Sequence, residues 1–187
     1  MNTKDVIINS ARDLFSKYGY KKVSMDEIAN TANVTKKTVY SYFKDKDSLF
    51  LYFIEEELET LKVNIEKERK KSKNVIDFVS TTAYNIIMYG KSNLLISNMF
   101  LESAEAESKT KKFLKLYENS ILKYIENLIQ EEITLKHIKK CDPHLAAFII
   151  YKTYLNVLFD YEENIDAKKA SLEITSILKD GLLNEEN

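Results

Sequence analysis

Between Gly19 and Gly90 the chain contains neither glycine nor proline, and its 187 residues hold only three glycines and one proline in all. β-Hairpins and tight turns draw on these two residues for positive φ and preset turn geometry. Ordinary usage is about 7% Gly and 5% Pro. A chain so poor in both is restricted to helices joined by few, short connections. The predicted fold class is therefore all-α. The 44% of hydrophobic and 30% of charged residues are what amphipathic helices in water need.

Helical periodicity divides the chain into about nine helices. The first spans about Lys4 to Tyr18, with Ile7, Ala11, Leu14, Phe15 and Tyr18 along one face, and Gly19 is expected to end it in a left-handed C-cap. Two short patterns follow, Met25–Ala32 and Lys36–Phe43, around an Asn33-Val34-Thr35 turn. Ser24 and Glu27 form a capping box and Thr35 is a good N-cap, so both helices have start signals. Ile28, Ala29, Val34, Val39 and Phe43 complete a three-helix core too small to be more than marginal alone. Asp45 is expected to cap a long fourth helix to about Lys71, striped by Phe50, Ile54, Leu58, Leu61 and Ile65. With no breaker inside, it predicts a stiff strut between head and body. Helices over about 75–89 and 94–104 follow, then one capped by Ser108 and carrying Phe113, Tyr117, Ile121, Tyr124, Ile125 and Leu128. Asp142-Pro143 starts an eighth helix, and Asp166 caps a ninth with Ala170, Ile174, Ile177, Leu178 and Leu182. The division expected is a three-helix domain over 1–48 and a helical body over 49–187.

Helix, tight turn, helix is the arrangement that places its second helix in the major groove of DNA. Base reading needs donors and acceptors on the outer face of that helix, with phosphate contacts to fix register. Lys36, Lys37, Thr38 and Ser41 project from its first turns. Tyr40, Tyr42, Lys44 and Lys46 lie further round, within reach of phosphates, with Lys46 at the N-terminus of the fourth helix, where anions are favoured. Ser24 and Thr35, the caps of the two short helices, complete the candidate DNA-binding set. Residues 1–50 carry nine Lys/Arg and six Asp/Glu, net +3, against a net of −4 in the remainder. A basic head on an acidic body suits a nucleic-acid-binding end joined to a module with another task.

These residues resemble the TetR-type transcriptional regulators. The resemblance rests on Ala11, Leu14, Phe15, Gly19, Ile28, Ala29, Val34, Thr35, Thr38, Val39, Tyr40, Phe43, Lys46, Leu49 and Phe50. It covers about the first quarter of the chain. It implies a homodimer of Ω-like, nine-helix subunits with a helix-turn-helix head and an effector pocket in the body. In that family the residues matching Lys36, Lys37, Thr38 and Ser41 face bases, and those matching Tyr40, Tyr42 and Lys46 hold phosphates. Two positions depart from the pattern. Asn33 stands for a frequent glycine in the turn and tolerates the left-handed region. Lys37 stands for a frequent glycine on the reading helix, and its bulk changes which bases are read.

The body supports two further expectations. Helix 8 has only Lys152 as a charge between Leu145 and Phe159, more apolar surface than one subunit covers. Helices 8 and 9 are therefore expected to pair with their symmetry mates through Phe148, Ile149, Lys152, Leu155, Phe159, Ile174, Ile177 and Leu178. Tyrosines need partners when buried, so the aromatics of helices 5–8 predict an amphipathic effector pocket involving Tyr84, Asn85, Met88, Phe100, Tyr117, Tyr124 and Tyr154, with Asn98 and Asn156 as further polar anchors. No nucleophile–base–acid set or phosphate-cradling glycine loop is present, so no enzyme and no cofactor is expected. His137, Cys141 and His144 lack the spacing of a zinc site, and no metal is expected. A lone cysteine, no apolar run of membrane length and no signal-peptide core point to the cytoplasm. The function expected is a ligand-responsive repressor, dimeric on a palindromic operator. The alternative is a DNA-binding module without a small-molecule effector, whose body docks a protein partner.

Overall fold

The structure, a computed structural model, describes residues 2–73, 75–103, 109–159 and 166–182. Among these are nine helices and no strand: α1 (Thr3–Lys22), α2 (Met25–Thr31), α3 (Lys36–Tyr42), α4 (Lys46–Lys71), α5 (Val75–Ser92), α6 (Leu94–Ser103), α7 (Thr110–Thr134), α8 (Pro143–Phe159) and α9 (Ala167–Leu182). Start signals read from the sequence act as expected. Ser24 and Glu27 satisfy each other's backbone N–H groups; Asn2 and Asp5 do the same at the start of α1, a cap not read from the sequence. The Asp45 carboxylate accepts the Ser48 N–H at 2.7 Å, and Asp166 accepts that of Lys169 at 2.9 Å. The expected Ser108 cap, the 184–187 tail and the side chains of Phe100, Tyr154, Leu155 and Phe159 lie outside the described residues. None of the described helices is long and apolar enough to cross a membrane.

Two compact units share the chain: Met1–Glu59 with Asn93–Tyr117, and Thr60–Ser92 with Glu118–Asn187. The first therefore holds the expected 1–48 head together with the start of α4, all of α6 and the start of α7. Its core explains this enlargement. Phe15, Phe50, Phe53 and Phe113 are essentially fully buried, and Ile7, Ile28, Val39, Leu49 and Met99 with them. The Phe113 ring lies 5.0 Å from that of Phe50 and 5.3 Å from that of Tyr20. The small three-helix core is closed by apolar side chains brought from α4, α6 and α7, as its marginal size demands.

Gly19 breaks α1 in a different conformation from the one expected. Its φ of 80° and ψ of 169° lie in the extended positive-φ region that glycine alone enters readily, not in the left-handed helical region. The break turns the residues after it, and Tyr20 is buried; Tyr18, before the break and expected on the buried face, is 47% exposed.

In the second unit Ile129, Ala146 and Ala147 form a buried cluster, packed round by Leu122, Ile125, Ile133, Cys141 and Ile150. Arg69 near the end of α4 pairs with Glu131 at 3.0 Å and Glu132 at 2.9 Å on α7. His137 accompanies Glu132 at 2.8 Å and His144 accompanies Glu126 at 3.1 Å. The two histidines thus sit on different carboxylates of α7.

Candidate nucleic-acid interface

The turn between α2 and α3 is made by Asn33 at a φ of 52°, the left-handed position that asparagine tolerates. Thr35 then caps α3, accepting the Thr38 N–H at 3.1 Å, and its hydroxyl meets that of Thr38 at 2.8 Å. Val39, fully buried, and Phe43 pin one face of α3 to the core. The opposite face is therefore fixed outward, and it carries the side chains expected to read DNA. Lys36, Lys37, Ser41 and Lys44 are exposed, and Tyr40 and Tyr42 are 43% and 45% exposed.

The cations on this surface are not equivalent. The Lys36 ammonium pairs with Asp26 of α2 at 2.8 Å, and that contact raises its pKa. Ser41 donates to the Thr38 carbonyl at 2.7 Å. Lys37 has no hydrogen bond or ion pair among the described residues. Lys46 differs most from the expectation of a free phosphate ligand. Its ammonium donates to the carbonyls of Tyr20 at 2.9 Å and Val23 at 2.8 Å and lies 4.2 Å from the centre of the Tyr20 ring. Burial lowers its pKa. Two of its three donors are thus spent inside the protein. Ser24 is held in its capping box, donating to Glu27 at 2.8 Å while accepting the Glu27 N–H at 3.2 Å.

A capped helix-turn-helix with an outward-facing, partly uncommitted cationic surface can bind a polyanion and read base edges. The profile described as "Bacterial regulatory proteins, tetR family" matches residues 7–53. The uncharacterized HTH-type transcriptional regulator YhgD of Bacillus subtilis is 32% identical over 164 residues, covering 87% of this chain and 86% of that protein. This chain belongs to the TetR family of bacterial transcriptional regulators. It is accordingly a DNA-binding regulator and not an enzyme. Solved structures agree in fold. SmeT in its triclosan complex, a Stenotrophomonas maltophilia repressor of a multidrug efflux pump, superposes with a TM-score of 0.77 at 19% identity, over 98% of this chain and 92% of that one. FadR of Bacillus subtilis in complex with stearoyl-CoA does so with a TM-score of 0.73 at 20% identity, over 94% and 97%.

In this TetR-family chain the second unit contains a cavity of about 340 Å³ between α4 and α5. Leu61, Ile65 and Met88 form apolar wall; Thr82, Asn85 and Glu68 add polar groups. The buried Thr82 hydroxyl has no hydrogen-bond partner among the described residues. Of the expected pocket residues, Asn85 and Met88 line this cavity. Tyr84 is exposed and Tyr117 is core, while the Tyr124 hydroxyl donates to Glu66 at 2.6 Å. Asn98, expected to anchor a ligand, instead donates to the Ser16 carbonyl of α1 at 2.8 Å. Tyr89, one of the aromatics of helices 5–8 counted in the sequence, also lines it, and Thr82, missed in the sequence, does so from i−3 of Asn85. The i, i+3, i+7 spacing of Thr82, Asn85 and Tyr89 along one face of α5 was the available signal.

The expected pairing face is also partly exposed. Leu145, Phe148, Ile149 and Ile177 are 55%, 44%, 48% and 76% exposed. Leu145, Ile149, Ile177 and Leu178 line a shallow, mostly apolar depression. Ile174 is a correction: at 4% exposure it belongs to the unit's own core and offers no surface. Lys152 donates to Glu118 at 2.8 Å, an ion pair within the subunit.

Proposed function

We propose that this protein is a ligand-responsive repressor that acts in the cytoplasm and binds a palindromic operator as a homodimer through α8 and α9. The observation that carries the reading is the outward face of α3, where Lys37 stands uncommitted one turn before the exposed Tyr40. Lys37 reads guanine through its O6 and N7 acceptors, with Lys36, Thr38 and Ser41 beside it. Lys36 must exchange Asp26 for its DNA partner. Tyr40, Tyr42 and Lys44 hold phosphates, joined by the remaining N–H of Lys46, while Ser24 and Thr35 set the helix ends at the backbone. Residues 1–48 read the DNA and residues 49–187 supply pairing and ligand binding, with α6 contributing to the head.

The experiment is selection from random duplexes. It should yield two inverted half-sites about 34–36 Å apart, one helical turn. In Lys37→Ala the consensus should relax at one position per half-site, where discrimination of about 1–3 kcal/mol is lost. Selection of an unpaired site, or an unchanged consensus in the variant, removes the assignment.

The cavity between α4 and α5 supports an amphipathic effector, since an apolar wall with few polar groups is the usual make-up of a small-molecule site. SmeT and FadR, which share the fold, bind triclosan and stearoyl-CoA. Native mass spectrometry of freshly purified protein should find a co-purifying small molecule. Asn85→Trp, which fills the cavity, should bind operator as before and no longer release it with the ligand. Release that persists in this variant places the effector elsewhere. A protein captured in place of any small molecule would favour the module without an effector.

A further inference from the structure

We propose that Glu102 is a positioning residue for DNA recognition, holding the backbone of Lys21 so that α2 and α3 leave the broken end of α1 in the direction that presents the reading face. It is not itself an expected DNA contact. It acts through the five residues from Gly19 to Val23, which lead from the break in α1 to the Ser24 cap of α2.

That connection is held from two sides. On one side the Glu102 carboxylate, carried by α6, accepts the Lys21 N–H at 3.1 and 3.3 Å. On the other, the Lys46 ammonium, carried by α4, gathers the Tyr20 and Val23 carbonyls at 2.9 and 2.8 Å. Tyr20, between these contacts, is fixed by its ring in the aromatic core and by its hydroxyl, which donates to Asp47. The backbone approaches the carboxylate so closely that a Cβ on Gly19 would lie 3.0 Å from the Glu102 carboxyl carbon and closer still to its oxygen. An ordinary residue at 19 would push Glu102 away.

Helix α6 is itself aimed by further polar contacts within the same unit. Asn93 caps it, accepting the Ile96 N–H at 3.1 Å, and donates to Glu57 at 2.6 Å. Glu57 is buried and accepts from Arg12 of α1 at 2.6 Å. One turn before Glu102, Asn98 grips the Ser16 carbonyl at 2.8 Å. The carboxylate is therefore delivered to Lys21 by a helix anchored along its length, and although the bond lies at the surface, it is charge-assisted and its acceptor is held in place by that anchored helix.

The inference takes its readout from the operator binding proposed above. The test compares wild type with Glu102→Ala, Glu102→Gln and Glu102→Asp, by fluorescence anisotropy on the selected operator at 25 °C, alongside amide hydrogen exchange at Lys21. Glu102→Ala should weaken binding by about ten-fold or more, the scale of a lost bond to a charged group. The salt dependence should stay unchanged, because no phosphate contact is lost. Glu102→Gln keeps an acceptor at the same reach and should restore most of the affinity. Glu102→Asp, one methylene short, should resemble alanine. Exchange at Lys21 should quicken in the alanine and aspartate variants while the rest of α1 stays protected. If Glu102→Ala binds as well as wild type, or tighter, or if glutamine fails to rescue it, the assignment is wrong. Were the alanine variant unfolded, the glutamine and aspartate pair alone would decide the matter. Failure of wild type to bind any selected duplex would instead count against the operator reading.

Discussion

Ile149→Glu should turn the dimer into monomers and reduce operator affinity by about a thousand-fold. Ile149 is 48% exposed, and Leu145, Phe148 and Ile177 beside it are all more than 40% exposed. A glutamate here costs the lone subunit little, because it stands at a solvated surface. In a two-fold interface the same substitution appears twice and faces apolar side chains, and each buried, unpaired carboxylate costs several kcal/mol. Loss of pairing is then felt at the DNA. Two half-sites bound by a linked pair gain an effective concentration in the millimolar range for the second contact, and monomers forfeit it. Sedimentation equilibrium should show the change of mass, and anisotropy on full and half operators should show their affinities converging. An intact dimer would move the interface to another face. Monomers that bind the full operator as tightly as wild type would remove the two-fold reading altogether.

The helix-turn-helix was legible because its signals are local. A capping box at Ser24, an N-cap at Thr35 and an asparagine that accepts positive φ at 33 each act within four residues, and all three recur in the structure. The same holds for the buried stripe of Phe50, Ile54, Leu58, Leu61 and Ile65 on α4. What escaped the sequence depends on partners far along the chain. The aromatics near 113–124 could be counted, but whether each belonged to core or pocket depended on its neighbours. Tyr117 is core, whereas Tyr124 is tied to Glu66, 58 residues away in sequence. Asn98 suits a ligand site and a helix-to-helix contact equally well by composition; only the Ser16 carbonyl opposite it decides. Lys46 shows the same ambiguity. A lysine at the start of a helix beside a DNA-reading unit is expected to face phosphate, and the carbonyls that turn it inward lie more than twenty residues earlier. Ile174 fits a helical stripe, but periodicity does not say which part of a stripe faces the subunit's own core and which faces a second copy.

Gly19→Ala should destabilise the first unit by about 2–4 kcal/mol, through two separable effects. One is conformational: a φ of 80° with ψ of 169° is open to glycine and strained for any residue bearing a Cβ. The other is steric, because the added methyl enters the space of the Glu102 carboxylate. A double-mutant cycle with Glu102→Ala separates them. In the Glu102→Ala background the methyl has room, so the steric part of the alanine penalty should vanish and the conformational part remain. Urea unfolding should therefore give a smaller cost for Gly19→Ala in that background than in wild type. If the cost is the same in both, the carboxylate does not press on Gly19, and the glycine is required by φ alone. If the cost vanishes entirely, the backbone relaxes to an ordinary helix end once Glu102 is gone, and the carboxylate itself imposes the break in α1. The magnitude of the coupling thus measures how far the start of α2 is set by α6 rather than by the short sequence that joins it to α1.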